Sequence, residues 1–296
     1  MSSVPPHRPG TGPLNGQSDV VPEILRPAEG YIPTPQPMVR RRRSFWATAP
    51  ATYVLVGINC AVFLAMVMHG VSALSPTPEQ LMFWGANNAG AVLNGGQWWR
   101  IVTAMFVHGG LLHLATNMWC LWNLGLLAEP LIGWLGVTSA YVLTGAAGNL
   151  LSTFFSWYSF PDGRFSPGGI GFPPGVGASG AVFGIAGALI VLLKSKRLPV
   201  PLDELKRLRK SVIYFAAINL VIGFSVNVGT RYMGSGLRVD NMAHLGGFSC
   251  GLLFAVPLVP RLGSTKSLFE TRMRIALALI AGLLVLFSFY LAQLPG

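Results

Sequence analysis

The sequence has 296 residues, of which 52% are hydrophobic and only 10% are charged, and its formal net charge is +11. Soluble globular proteins carry about 25% charged residues, so this deficit, together with several long apolar runs, indicates a membrane protein. The excess of positive charge does not indicate a nucleic-acid-binding protein. Most basic residues lie in short clusters beside apolar runs, as expected of cytoplasmic membrane anchors.

Seven apolar stretches follow a Pro-rich tail, 1–48, which ends in basic residues. We expect this tail to be disordered, and it has no early apolar core of the kind found in a cleavable signal peptide. About 20 apolar residues cross a bilayer core roughly 30 Å thick. The sequence therefore predicts an all-α, polytopic membrane helix bundle. In chain order the predicted spans are 50–72, 110–133, 136–157, 179–193, 211–228, 241–260 and 273–293.

The placement of lysine and arginine predicts the orientation of the bundle. The run Arg40–Arg43 directly precedes the first span, which places the N-terminus in the cytoplasm under the positive-inside rule. Seven alternating spans then put 17 of the 21 basic residues inside. A bundle with one span fewer would place one of the two later basic clusters, 194–210 or 261–274, on the wrong side. We therefore predict a cytoplasmic N-terminus.

Four polar side chains fall in one outer layer of this bundle. His113, Asn117, Ser179 and His244 each lie at or near the non-cytoplasmic start of a predicted span. Such side chains are costly inside a membrane and usually face the protein interior or a wet cavity. From Ser179 to the basic cluster at Lys194 is about 22 Å of helix, which is too short to cross the bilayer core. We therefore expect Ser179 to lie below the outer boundary, at the floor of a water-filled cavity.

Each of these side chains also has a purely structural interpretation, because polar residues in membrane helices often bond their own helix or a neighbouring one. Together they supply the parts of a nucleophilic site. A serine hydroxyl needs an adjacent base, and an imidazole takes and returns its proton. The Ser179 amide at a positive helix end, with Asn117 and His113, would donate to the oxyanion. Ser179 and His244 are therefore predicted to form a catalytic dyad.

Other chemically active residues are given structural roles. Asp240, four residues before His244, is expected to cap the sixth span rather than to complete a triad. His108 lies at the edge of a loop and is expected to be structural or to face the rim. The three cysteines lie inside apolar stretches without metal-ligand spacing and are expected to be small buried side chains. No metal and no cofactor is predicted.

The chain carries four short motifs in a fixed order. They are Trp99-Arg100, His113-Leu-Ala-Thr-Asn117, Gly177-Ala-Ser179-Gly180, and Ala243-His244-Leu-Gly-Gly247 followed by Gly251. Each motif is weak evidence alone. In this order, and at these places in the predicted topology, they resemble the motifs of the rhomboid intramembrane serine proteases. The resemblance covers residues 98–251, about half of the chain.

The resemblance implies a six-helix rhomboid core over 49–260, with a linker and an extra seventh transmembrane helix over 261–296. It implies that the dyad and the oxyanion donors named above keep those roles, and that Phe183 packs against the catalytic histidine. It also implies transmembrane protein substrates, cut within the lipid bilayer near the outer end of helices rich in helix-breaking or small residues. The remaining motif residues, which would support the site, are Trp99, Arg100, Gly177, Gly180, Gly247 and Gly251.

Two other functions stay open. A rhomboid-like pseudoprotease is disfavoured because both Ser179 and His244 are present. A transporter or channel would carry paired intramembrane charges or internal repeats, which the sequence does not display, and Glu129 is expected to be a membrane-interface residue. Short loops and the absence of a recognisable transit peptide favour a bacterial plasma membrane. The oligomeric state and the substrate are not predicted.

Overall fold

The computed structural model of the chain describes residues 49–159, 172–198, 200–233, 239–259 and 265–294, without the side chains of 224–233. The chain divides into two units, 1–42 and 43–296, and all described residues belong to the second. The predicted disordered tail lies outside the described residues. So does most of the Gly- and Pro-rich loop between the third and fourth predicted spans.

The described residues form α-helices and no strand, which confirms the prediction of an all-α fold. One isolated antiparallel bridge joins Asn87 and Gly175. In chain order the helices are α1 (Pro50–Met68), α2 (Pro78–Phe83), α3 (Ala89–Leu93), α4 (Arg100–Thr103), α5 (Leu111–Ser159), α6 (Ser179–Leu192), α7 (Leu202–Met233), α8 (Asn241–Ala255) and α9 (Lys266–Ala292).

Three of these helices, α1, α5 and α9, are long and apolar enough to cross a membrane, and α6 is a shorter apolar helix. Their outward faces carry large exposed apolar side chains, among them Val54 on α1 and Leu286 and Phe289 on α9. Exposed apolar surface of this kind suits contact with lipid rather than with water. The chain is therefore an integral membrane protein.

Helix α5 is two helices joined at Gly133. Its 49 residues would extend about 74 Å as one straight helix, more than twice the bilayer core. Gly133 has φ 73° and ψ 173°, a backbone conformation that residues with a side chain rarely adopt, and the chain turns there. The two parts, called arm 1 (111–132) and arm 2 (134–159) below, correspond to the second and third predicted spans.

Two helices begin earlier than predicted. Helix α7 begins at Leu202 rather than at 211, and α9 begins at Lys266 rather than at 273. Several basic residues assigned to loops, Lys206 to Lys210 on α7 and Lys266 and Arg272 on α9, therefore lie on the early turns of helices. Lysine and arginine mark the membrane boundary, but they are also good helix formers and do not end a helix. Asp203 and Glu204 in the first turn of α7 further favour an early start, because acidic side chains suit a helix N-terminus.

Glu129, which was predicted to be a membrane-interface residue, contacts the first turn of α1, at one end of a spanning helix. Its side chain is buried between arm 1 and α1, with 4% of its surface exposed. Its carboxylate accepts hydrogen bonds from the Ala51 and Thr52 amides, at 2.9 and 2.8 Å, and from the Thr52 hydroxyl at 2.7 Å. A carboxylate satisfies the open amides of a helix N-terminus and suits its positive end, so Glu129 fixes the start of α1.

Helix α6 forms the centre of the bundle. Every residue from Gly180 to Leu189 is buried, as expected of a helix that is apolar on all sides. It packs between arm 2 and α8, and glycine makes this packing close. Methyl groups placed at Gly247 and Gly251 of α8 would overlap the carbonyl oxygens of Gly180 and Gly184 on α6. Small residues let helix backbones approach in this way.

Candidate active site

Ser179 is the first residue of α6 and is partly buried. The residues just before it are held by hydrogen bonds across the bundle. The Gly177 amide donates to the Ala104 carbonyl oxygen at 2.9 Å. The amide of Ala178, which precedes Ser179, donates to Nε2 of His108 at 3.4 Å. The first amides of a helix lack partners within the helix, so the Ser179 amide is one of a group suited to a negative charge.

His244 lies in the first turn of α8, and Asp240 caps that helix as predicted. The Asp240 carboxylate accepts a hydrogen bond from the Ala243 amide at 2.9 Å through Oδ1. Its Oδ2 accepts from the Ser152 hydroxyl of arm 2. The His244 amide donates to the Asp240 carbonyl oxygen at 3.1 Å. Both carboxylate oxygens are thus used in fixing the start of α8 and its position against arm 2.

The close approach of α6 and α8 brings Ser179 and His244 to the same end of one helix interface. A methyl group at Gly180 would lie 3.3 Å from the Ala243 carbonyl oxygen, so the residues that follow Ser179 and precede His244 are in contact. One turn after Ser179, the Phe183 ring stacks on the His244 imidazole with centroids 4.2 Å apart and planes 11° apart. His244 is therefore buried against the first turn of α6.

His113 and Asn117 lie one turn apart on arm 1 and face Gly177. A methyl group at Gly177 would lie 2.8 Å from His113 Nε2 and 3.5 Å from Asn117 Nδ2. Gly177 also has φ 113°, in the left-handed region that favours glycine. Both the space and the backbone conformation at this position therefore require glycine. The two predicted oxyanion donors consequently lie beside the backbone that leads into Ser179.

The hydrogen bonds of His113 define which ring nitrogen carries the proton. The Gly109 amide donates to His113 Nδ1 at 3.3 Å, so Nδ1 is an acceptor and the neutral ring carries its proton on Nε2. That nitrogen is the one near Gly177. Asn117 donates one amide hydrogen to the His113 carbonyl oxygen at 3.0 Å and keeps the second for another acceptor.

His108, which was predicted to be structural or to face the rim, has the first of these two roles. It is completely buried. Its Nδ1 lies 3.2 Å from the Phe106 carbonyl oxygen while its Nε2 accepts from Ala178, which gives the Nδ1–H tautomer. Its ring meets the edge of the His113 ring at 5.4 Å. His108 thus supports residues 175–178, which precede Ser179 and are called the nucleophile segment below. The sequence offered one sign of this role, the position of His108 five residues before His113.

Trp99 and Arg100 organise the loop between α1 and arm 1. Arg100 is 8% exposed, and its Nη1 donates to the carbonyl oxygens of Met82 and Ala86 at 2.7 and 2.9 Å. Its guanidinium also lies over the Trp99 ring, 4.5 Å from the centroid. Arg100 thus joins the start of α4 to α2 and to the residues that follow α2. The short helices α2, α3 and α4 within this loop were not predicted from the sequence.

Two surface cavities of about 370 and 280 Å³ lie among the described residues, and neither of these two is lined by Ser179 or His244. The first lies between α1 and arm 1, beside Trp119 and Trp122. The second lies beside α2 and His69. Residues 160–171, which lead towards Ser179, are not among the described residues, so the cavity predicted above the serine stays a prediction.

The family of the chain follows from comparison with known proteins. The family model described as "Rhomboid domain" matches residues 95–261, which is more than half of the chain and includes all four polar residues. The chain belongs to the rhomboid family. Its relatives include proteins named as rhomboid proteases, and the predicted membership of this family is confirmed.

Three relatives illustrate the extent of the rhomboid similarity. Rhomboid protease GluP of Bacillus subtilis is 30% identical over 83% of this chain and 41% of its own length. Rhomboid protease AarA of Providencia stuartii is 30% identical over 80% of this chain and 83% of its own length. RHOMBOID-like protein 7 of Arabidopsis thaliana is 31% identical over 63% of this chain and 51% of its own length. The chain thus spans less than half of GluP but most of AarA.

Proposed function

We propose that this chain is an intramembrane serine endopeptidase that hydrolyses peptide bonds in or near transmembrane segments of membrane proteins. Ser179 is the nucleophile and His244 the general base. The observation that carries the proposal is the contact between the first turns of α6 and α8, where Phe183 stacks on the His244 ring one turn after Ser179. A serine at a helix N-terminus beside a buried histidine is suited to nucleophilic catalysis.

The reaction proceeds through an acyl-enzyme. The Ser179 hydroxyl oxygen bonds to the carbonyl carbon of the scissile peptide as His244 takes the hydroxyl proton. The carbon–nitrogen bond then breaks, and His244 returns this proton to the leaving amine. Water next attacks the acyl group while giving a proton to His244, which protonates the Ser179 oxygen as the ester breaks. The imidazole thus acts in turn as base and acid.

Three donors hold the oxyanion of the tetrahedral intermediate in this scheme. They are the Ser179 amide, Nε2–H of His113 and the remaining amide hydrogen of Asn117. The positions of His113 and Asn117 around Gly177, and the tautomer that Gly109 imposes on His113, support this assignment. Donors fixed in advance act strongly because they need no reorganisation during the reaction.

A dyad is favoured over a triad. Nδ1 of His244 is buried and has no hydrogen-bond partner among the described residues. The nearby carboxylate of Asp240 has both oxygens engaged, by Ala243 and Ser152. In the absence of an orienting carboxylate among these residues, the Phe183 ring is the contact that sets the plane of the imidazole.

The fold supports six core helices over 49–260 followed by a seventh span, α9, within 261–296. A helix covers most of each of the seven predicted spans, with arms 1 and 2 of α5 supplying two of them. We propose the tail 1–48 as a cytoplasmic segment, because the basic clusters on early α7 and early α9 then share its side of the membrane. A bacterial plasma membrane is the proposed location, since GluP and AarA both come from bacteria.

Two single-span reporter proteins would test the proposed activity in liposomes. The first has glycine, alanine and one proline in the outer third of its helix, and the second has leucine at the same positions. A protease needs an extended strand, because a stable helix uses the peptide carbonyls in its own hydrogen bonds. We expect mass spectrometry of the products to locate a cut within the outer third of the first reporter. Equal cutting of this reporter by Ser179→Ala would contradict the proposal.

A further inference from the structure

The backbone that leads to Ser179 is held from the loop between α2 and α3 by Asn87. The Asn87 amide donates to the Gly175 carbonyl oxygen at 2.8 Å, and the Gly175 amide donates to the Asn87 carbonyl oxygen at 2.7 Å. This pair is the isolated bridge of the fold. Because Gly175 precedes the nucleophile by only four residues, the bridge fixes the segment just before α6.

The side chain of Asn87 is bonded to arm 2 at both of its polar atoms. Its Nδ2 donates to the Asn149 carbonyl oxygen at 3.1 Å, and its Oδ1 accepts from the Thr153 hydroxyl at 3.1 Å, which shares its proton with the Asn149 carbonyl oxygen at 2.8 Å. Asn87 is 2% exposed. A buried amide that lost these partners would leave unpaired polar groups, which is costly, so its orientation is tightly defined. Asn87 therefore fixes the position of the nucleophile segment relative to arm 2.

The same bridge lies against the start of α8. A methyl group at Gly175 would lie 3.2 Å from Oδ2 of Asp240, the residue that caps the helix carrying His244. That oxygen also accepts the Ser152 hydroxyl of arm 2. One polar cluster thus joins arm 2, the segment before Ser179 and the N-terminus of α8. Asn87 supplies the link from this cluster to the nucleophile segment.

We propose that Asn87 is a positioning residue for peptide-bond hydrolysis. It holds the start of α6 in a fixed position relative to the start of α8. This role rests on the proposed function. Asn87 does not touch the reacting atoms in this account and acts through the bridge to Gly175. A misplacement of about 1 Å in a catalytic group lowers a rate about a hundredfold, so a modest shift of this bridge is measurable in the reaction of Ser179.

The test is the saturation kinetics of labelling by a small fluorophosphonate, using the full chain in detergent. Each variant is measured at the same interval below its own melting temperature. We expect Asn87→Ala to lower the maximal labelling rate about ten- to a hundredfold, with little change in the probe concentration that gives half-saturation. Glu129→Gln, which weakens the distant cap of α1, is the stability control and should keep the wild-type rate.

A second pair of variants covers the case in which Asn87→Ala does not fold. Thr153→Val removes the hydroxyl bonded to Asn87 Oδ1 and should slow labelling in the same manner, while Thr153→Ser keeps that hydroxyl and should restore the rate. Wild-type labelling rates in folded Asn87→Ala, or in Thr153→Val, would overturn the positioning role and leave the proposed function intact. Failure of the wild type itself to react would instead overturn the proposed function.

Discussion

The Phe183 ring lies flat against the imidazole of His244, with 4.2 Å between ring centroids and 11° between planes. Phe183 belongs to α6 and His244 to α8, so this contact joins the helix of the proposed nucleophile to the helix of the proposed base. Nδ1 of the imidazole has no hydrogen-bond partner among the described residues, which leaves stacking as the main restraint on the ring plane. In the proposed dyad, this stacking contact orients the imidazole, as a carboxylate does in a catalytic triad.

Replacing Phe183 with alanine should therefore slow the reaction of Ser179. The imidazole would lose a stacking contact worth about 0.5–1.5 kcal/mol and could rotate away from the orientation in which it accepts the Ser179 proton. We expect about a tenfold lower fluorophosphonate labelling rate, while Phe183→Tyr, which keeps a ring, should stay near the wild type. Phe154→Ala removes a similar ring that packs on Phe287 of α9 and serves as the control. An equal loss of rate in both alanine variants would point to general destabilisation.

The Gly177→Ala variant should be almost inactive. A methyl group there would lie 2.7–2.8 Å from the His113 ring, and the φ of 113° disfavours any side chain. The proposed oxyanion donors would be displaced, so we expect the labelling rate to fall at least a hundredfold. Gly96→Ala is the matched control, because Gly96 also has a positive φ, of 66°, but has open space around it. A Gly177→Ala protein that reacts as fast as Gly96→Ala would show that this geometry is not needed.

A methyl group at Gly247 should separate α6 from α8. It would overlap the Gly180 carbonyl oxygen, which cannot move without moving the helix. We expect Gly247→Ala to lower both the melting temperature and the labelling rate, because overpacking in a tight interface costs about 1–3 kcal/mol. Gly282→Ala makes the same chemical change on α9 where nothing lies within 4 Å, and both quantities should stay at wild-type values. The melting curves and rates of the two variants, measured side by side, check this prediction.

Asn117→Ala should weaken catalysis without abolishing it. Removal of one oxyanion donor costs about 3 kcal/mol, or roughly a hundredfold in kcat, while the other donors remain. The KM for a cleaved reporter should change little, since the donor is needed mainly in the transition state. Steady-state kinetics in liposomes would measure both constants. An unchanged kcat would remove Asn117 from the oxyanion site.

The sequence was sufficient to predict where the long apolar helices lie and to single out the four polar residues. In a bilayer every spanning segment must be apolar and must satisfy its own backbone, so hydropathy alone locates the helices. Ser179 and His244 stand out in the sequence because polar side chains are rare in membrane spans and these two fall in one predicted layer. The break at Gly133 also agrees with the short gap between the second and third predicted spans.

The supports of the site were not predictable in the same way. His108 bonds an amide 70 residues away, and Asn87 bonds arm 2 from 62 residues away. These partnerships exist only after the bundle has packed, and a histidine or an asparagine in a loop has many other possible roles. The early starts of α7 and α9 were missed because basic residues mark a membrane boundary and not the end of a helix.

The most direct test of the central claim is fluorophosphonate labelling of the purified, folded protein, with the labelled residue identified by peptide mass spectrometry. The account predicts that the wild type is labelled on Ser179 and that both Ser179→Ala and His244→Ala lose labelling while melting close to the wild type. Such a result would establish a serine activated by His244. Labelling that persists in folded His244→Ala at the wild-type rate would contradict the dyad. A folded wild type that reacts neither with this probe nor with a smaller serine-directed inhibitor would identify a member of the rhomboid family without catalysis.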